Sequence, residues 1–404
     1  MSFEEKRQES RPATGEAPFR LSEVFFSRTD ERGVIQAGNY IFRRVAGFDW
    51  DEMLRAPHKI IRHPDMPKAV FWLLWDTIKR GEAIGAYVKN LAKDGLYYWV
   101  YASVMPFEGG YASVRIKPTS ALFKTVQAEY ATLLKAEKEQ GVSPEESAKT
   151  LLKRLQDLGF DDYAHFSAHS LSEELISRDL GLEKPPDKSI NRLKIAAKDA
   201  RGLASETLGL IDEFATMQTI PHNMRVIASR LEPTGGPVST LSQNYGSMSQ
   251  EISDWFDKNV VGEDSNFSQI STRVTQSMFL ECLARVLSEA TVQLEREKRR
   301  LGDADLETER QHLRGLEAEY LELSKKELQR VNEEALKIST ACRIMHRQIL
   351  GLSTTRVMCK IEGARMNGEG ESLDDIITQL DAFQTKVNAR LERITNLAAA
   401  LQIG

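Results

Sequence analysis

The chain has 404 residues, enough for two or three domains, with 41% apolar and 28% charged residues and a formal charge of −5. Mild acidity without a basic block argues against nucleic acid as a partner, and the longest apolar run, Ala69 to Trp75, falls far short of the roughly 20 residues of a membrane span. Three scattered cysteines (Cys282, Cys342, Cys359) and a polar N-terminus without a signal-peptide core read as a reduced, cytoplasmic protein, free of disulfides and zinc.

Residues 1–19 are expected to be a disordered tail. Of 31 aromatic residues, 18 lie in residues 1–120, which marks a compact, aromatic-cored domain over 20–120. There the hydrophobic period changes repeatedly. Strands are predicted at 24–26 and 34–36, joined by a polar turn over 28–33, and a short helix at 39–45 closes at Gly47. Residues 67–80 form the clearest helix, with Val70, Leu73, Leu74, Thr77 and Ile78 on one face and Gly81 at its end. Strand patterns follow at 86–91, 96–107 and 111–117, with turns at Lys93-Asp94-Gly95 and Glu108-Gly109-Gly110. The fold class is α+β.

Residues 121–186 read as a helical connector. Ser143-Pro-Glu-Glu146 is a capped helix start, Gly159 ends that helix, a short helix covers 170–180, and Pro185-Pro186 marks a boundary. All 13 prolines fall at or before Pro237, so residues 187–404 read as an antiparallel bundle of long helices. Leu328, Val331, Ala335, Ile338, Cys342, Met345, Ile349 and Leu352 form a heptad seam of the coiled-coil type. Arg225–Arg230 before Gly235-Gly236 and Arg356–Arg365 before Gly368 and Gly370 look like two helical hairpins, sufficient for a four-helix bundle within one chain.

The stretch His58-Lys-Ile-Ile-Arg-His-Pro-Asp-Met-Pro-Lys68, with Ala46-Gly47-Phe48, Gly81-Glu82, Val88-Lys89-Asn90 and Tyr98-Trp99-Val100, resembles the PAS domain of bacterial aerotaxis receptors over about residues 22–118. The resemblance implies a five-strand antiparallel sheet with helices over one face. It also implies an FAD pocket in which Arg62, His63, Asp65, Phe71, Asn90 and, near the first helix, Asn39 contact the cofactor. Asn90 would transmit the change in ring protonation, and Phe71 would pack the ring. Gly38 and Ile84 depart from the family pattern. That leaves open haem b, held by His58 or His63 as in a related subgroup, and a pocket with no cofactor. Without a cofactor, His58 and His63 would hydrogen-bond the loop, Arg62 and Asp65 would pair, and Trp72, Trp75 and Trp99 would be core. A fainter resemblance joins Ile361-Glu362-Gly363-Ala364-Arg365 and Gly370 to the cytoplasmic tip of chemotaxis receptors, with Arg230 in a decayed copy. It implies that Glu362, Arg365 and Arg230 contact a histidine kinase or its coupling adaptor.

No phosphate loop, kinase signature or metal cluster is legible, so an enzyme is not expected. The reading is a soluble PAS-containing sensor of redox state or oxygen that relays its signal through a helical bundle to a chemotaxis-type pathway. The alternative is a scaffold or adaptor whose PAS domain docks or dimerises, as a homodimer, without cofactor.

Overall fold

The computed structural model describes residues 11–217, 219–231, 236–256, 266–297, 306–365 and 371–402. The chain forms two compact units, each discontinuous in sequence. The first comprises residues 1–194 and 275–325, and the second 195–274 and 326–404.

The first unit is organised by a five-stranded sheet of β1 (Phe25–Asp30), β2 (Ile35–Gly38), β3 (Ile84–Leu91), β4 (Tyr97–Phe107) and β5 (Gly110–Ile116) in the order β2-β1-β5-β4-β3. Every neighbouring pair is antiparallel. Successive side chains alternate between faces. Ser27, Thr29, Val88, Asn90, Ala102, Val104, Ser113 and Arg115 turn to one side. Tyr87, Trp99 and Tyr101 turn to the other, where Tyr87 and Trp99 meet aromatic residues of the helices that follow the sheet. The expected strand at 24–26 runs on to Asp30, and the turn shrinks to the next three residues. Pairing with β5 supplies the backbone partners of Arg28 and Thr29, and the Asp30 carboxylate accepts from the N–H groups of Arg32 and Val34. Gly110 pairs with both Phe107 and Asp30. A Cβ there would sit 1.9 Å from the Thr29 carbonyl oxygen, so only glycine admits both pairings.

Between β2 and β3 lie α1 (Tyr40–Ala46), α2 (Trp50–Met53), a 3-10 turn (His58–Ile61) and α3 (Lys68–Lys79). After β5 come α4 (Ala121–Gln140), α5 (Pro144–Asp157) and α6 (Tyr163–Gly181). The expected Ser143 start of α5 is a capping box with Glu146. The expected helix at 170–180 begins earlier, at Tyr163, because Asp162 caps it through His165 N–H. These helices cover the second sheet face. Phe123 of α4 packs on Tyr87 and Trp99, while the Tyr101 hydroxyl bonds Ser167 and Ser170 of α6. Parts of α10 (Asn266–Glu297) and α11 (Leu306–Arg365) also belong to this unit and bring Glu289 to Arg178 and Glu309 to Arg28.

The second unit is helical, built from parts of α7 (Lys188–Met217), α10 and α11 with α8 (Thr219–Leu231), α9 (Pro237–Phe256) and α12 (Glu371–Ala400). Of the expected seam, Val331, Ala335, Ile338, Cys342, Met345 and Ile349 are buried in its core, with Leu380, Val387, Leu391 and Ile394 of α12. Leu328 is half-buried. Its place on the buried stripe is taken by Glu327, which pairs with Arg273 at 2.8 Å. The side chains of Leu352 and Cys359 lie outside the described residues.

Glu174 of α6 is fully buried. Its carboxylate accepts from Thr119 N (2.6 Å), Ser120 N (3.1 Å), Ser120 Oγ (2.5 Å) and Tyr87 Oη (2.8 Å). A buried group left without its partner costs roughly 1–3 kcal/mol. Glu174→Ala strands several, and should lower the free energy of unfolding by at least ~3 kcal/mol in urea denaturation. Glu174→Gln keeps an acceptor oxygen and should lose less.

Candidate functional site

A cavity of about 210 Å³ lies between the first sheet face and the segment from the 3-10 turn to α3. The sheet contributes Ser27, Asn90, Ala102, Ser113 and Arg115; the helical side contributes His58, Arg62, Phe71, Leu74 and Trp75. Alternation in β3 and β5 puts Asn90, Ser113 and Arg115 on one face, and the amphipathic turn pattern of α3 puts Phe71, Leu74 and Trp75 opposite them.

Four of the sequence-predicted residues meet here. Asn90 is 3% exposed, and no described residue hydrogen-bonds its carboxamide. Phe71 stands in the first turn of α3, and the Arg62 guanidinium lies over its ring at 3.5 Å. Arg62 therefore stacks on Phe71 at the exposed rim instead of pairing with Asp65. His58 packs against the Phe42 ring, centroids 5.8 Å apart and nearly parallel. Its Nε2 accepts from Arg115 Nη2 at 2.6 Å, so the lone pair that would bind a haem iron is already engaged. Burial, with the charges of Arg115 and Arg62, holds the His58 pKa well below the ordinary 6.5, and the ring is neutral at pH 7.

The remaining predicted residues lie off the cavity wall. His63 Nδ1 accepts from Asp65 N at 3.0 Å. The Asp65 carboxylate pairs outward with Lys89 at 3.5 Å and Lys138 at 3.3 Å. Asn39 is wholly buried as the N-cap of α1. Its Oδ1 accepts from Phe26 N and Phe42 N, and its Nδ2 donates to the Val24 carbonyl and to Glu297. Among the tryptophans, Trp75 lines the cavity, Trp99 packs on Phe123 across the sheet, and Trp72 is exposed. The side chains of Glu362, Arg365 and Arg230 lie outside the described residues.

Sequence reasoning missed Arg115, which is 4% exposed. Burial lowers its pKa to about 10, so it remains a cation at neutral pH. The signal was available: Tyr111, Ser113 and Arg115 alternate along a strand whose other residues are apolar. Sequence reasoning also missed Glu137 of α4. The N-cap of α3 is Pro67, which offers no capping side chain. Glu137 replaces it, accepting from Lys68 N at 2.8 Å and Ala69 N at 3.1 Å. The helix that carries Phe71 and Trp75 thus begins on a carboxylate from the helix leaving the sheet.

A sheet of this order with helices between its second and third strands is the PAS architecture, and residues 38–115 match the family described as PAS fold. The sheet domain of the first unit is a PAS domain, followed by a mostly helical region. Over 121 residues the chain is 38% identical to the aerotaxis receptor of Escherichia coli (strain K12), an alignment that covers 29% of this chain and 24% of the receptor. The chain therefore spans about a quarter of that relative's length. Similar solved structures include the light state of the photoreceptor Aureochrome1 LOV domain, at 17% identity over 35% of this chain and 100% of that one, with a TM-score of 0.23. A PAS domain from Colwellia psychrerythraea is 18% identical over 24% of this chain and 86% of its own, with a TM-score of 0.21. No helix among the described residues is long and apolar enough to cross a membrane.

Because His58 is neutral in the fold and takes up a proton near pH 6.5 when unfolded, the unfolded chain binds more protons below that pH. Stability present above about pH 6.5 is therefore lost on acidification, by at most about 1.4 kcal/mol per pH unit. His58→Gln should lose less between pH 7.5 and 5.5 than the wild type, measured by urea unfolding at each pH.

Proposed function

We propose that this protein is a non-enzymatic sensor whose PAS cavity binds FAD and whose helical region passes on the redox state of the bound ring. The observation that carries the reading is the Asn90 carboxamide, buried in the same cavity wall as Phe71, Leu74 and Trp75 and without a hydrogen-bond partner among the described residues, which offers a donor and an acceptor to a ring edge. The likeness to the aerotaxis receptor over the PAS region supports the same ligand class.

The residues fit the group. Phe71, Leu74, Trp75, Val88 and Val104 supply apolar and aromatic surface for a flat ring. At about 210 Å³ the cavity is smaller than the roughly 300–1,000 Å³ of sites that enclose a whole drug-sized ligand. The ring would be enclosed and the diphosphate would remain at the rim, where Arg32, Lys59 and Arg62 stand. When bound, a flavin supplies a ring whose protonation changes with its reduction. Asn90 would hydrogen-bond the ring edge, while Phe71 and Arg62 would close the mouth against water. His58 donates no iron ligand while Arg115 holds its Nε2, which favours flavin over haem.

A shift of Phe71 is felt at the α3 N-terminus, and so by Glu137 and α4. In this reading the long helices, with their heptad seam, act as a coiled-coil relay to a histidine kinase or coupling adaptor of the chemotaxis type, in the cytoplasm.

The full chain, refolded or incubated with FAD, should show flavin absorbance that survives gel filtration. Asn90→Ala should weaken FAD binding about tenfold, the equivalent of one lost hydrogen bond of ~1.4 kcal/mol. A wild-type chain that stays colourless and does not quench FAD fluorescence sinks the reading.

A further inference from the structure

The cavity's charged groups are of one sign. Its wall and rim hold the cations Arg32, Lys59, Arg62 and Arg115, and no Asp or Glu is among the lining residues. Arg32 has its own partner in Asp30, and Arg62 is stacked on Phe71. Arg115 is different, being buried in the sheet wall with no carboxylate partner among the described residues.

Its neighbours are all neutral. Nη2 donates to Ser27 Oγ at 2.7 Å and to His58 Nε2 at 2.6 Å, and the Phe42 ring lies 5.0 Å from the guanidinium. Nη1 is buried with no hydrogen-bond partner among the described residues. Two residues earlier on the same strand face, Ser113 Oγ is also buried, with no partner among the described residues. Elsewhere in this unit the equally buried Arg178 is matched by Glu289 at 3.0 Å. An ion taken from water without a counter-charge is costly, and such a group is stabilised when an anion or strong acceptor arrives beside it. His58, neutral and hydrogen-bonded through Nε2, fixes the guanidinium so that Nη1 stays available.

We propose that the Arg115 end of the cavity is an anion-recognition subsite: with Ser113 it takes the negatively charged or carbonyl edge of a planar aromatic ligand, and makes the cavity prefer anionic over neutral ligands of equal shape. The inference rests on reading this cavity as a ligand site. It deepens the flavin assignment by giving the ring two unlike contacts, a donor–acceptor carboxamide at Asn90 and a donor-only cation at Arg115.

The test uses the full chain and two sets of probes. The first is the near-isosteric pair 1-naphthoate and 1-naphthamide, one anionic and one neutral, titrated by calorimetry. The second is FAD, followed by fluorescence quenching. The wild type should bind naphthoate at least about tenfold more tightly than naphthamide, a difference of ~1.4 kcal/mol. Arg115→Gln should abolish that preference, and Arg115→Lys, which keeps the charge, should retain part of it. FAD affinity should fall at least about tenfold in Arg115→Gln. The wild-type comparison needs no variant to fold. Equal binding of the two naphthalenes by the wild type, or an unchanged preference in folded Arg115→Gln, overturns the subsite. An anion preference that depends on Arg115 in a chain that ignores FAD upholds the subsite and discards the flavin reading. FAD bound equally by wild type and Arg115→Gln, with no anion preference, does the reverse.

Discussion

The PAS unit depends on carboxylates that end other elements' helices. Each helix begins with backbone N–H groups that no residue of its own turn can accept, and its dipole places positive charge there. At three places in this unit the acceptor comes from far along the chain. Glu297 reaches the start of α1 at Tyr40 N, Glu137 the start of α3, and Glu174 the turn from β5 into α4. Burial raises the pKa of Glu297, with the Gln293 amide and the backbone N–H groups at α1 acting against it. These bonds tie helices to the sheet at fixed points, where apolar packing alone would let them slide.

The cavity depends on that tethering. Asn39, held by Glu297 and by the backbone of Val24 and Phe26, sets α1 so that Phe42 backs both His58 and Arg115. Glu137 sets the first turn of α3, from which Phe71 meets Arg62. The ligand wall is thus assembled from four segments whose relative positions are fixed by charge-assisted hydrogen bonds at their ends.

What the sequence disclosed follows the range of the interactions. The strands were legible because alternation is local, and α3 because its apolar face repeats at helical spacing. The capping box at Ser143 was legible for the same reason. Of the residues suggested by resemblance, His58, Arg62, Phe71 and Asn90 come together at the cavity. Asn39 stands directly before a helical Tyr-Ile-Phe run, which is an N-cap pattern, and the cap is what it forms. The Glu137, Glu174 and Glu297 bonds were not legible. Their partners lie 69, 54 and 258 residues away, and an isolated glutamate on a helix reads as a solvated face. Arg115 escaped notice because a charge on a strand suggests an edge, whereas β5 lies between β1 and β4. Glu327 on the buried stripe of α11 was hidden likewise by its partner Arg273 on another helix.

Helix α4 has 20 residues and so runs about 30 Å. It is pinned just before its first residue, at Thr119 and Ser120, by Glu174, and in its last turn through Glu137, whose oxygens hold α3 and the Ser147 hydroxyl of α5. A rod fixed at both ends does not fray or wind at one end without loading the other. Displacement at the cavity mouth would therefore reach the far end of α4 first, through two backbone N–H groups, and the sheet between them would act as the rigid frame against which that displacement is measured.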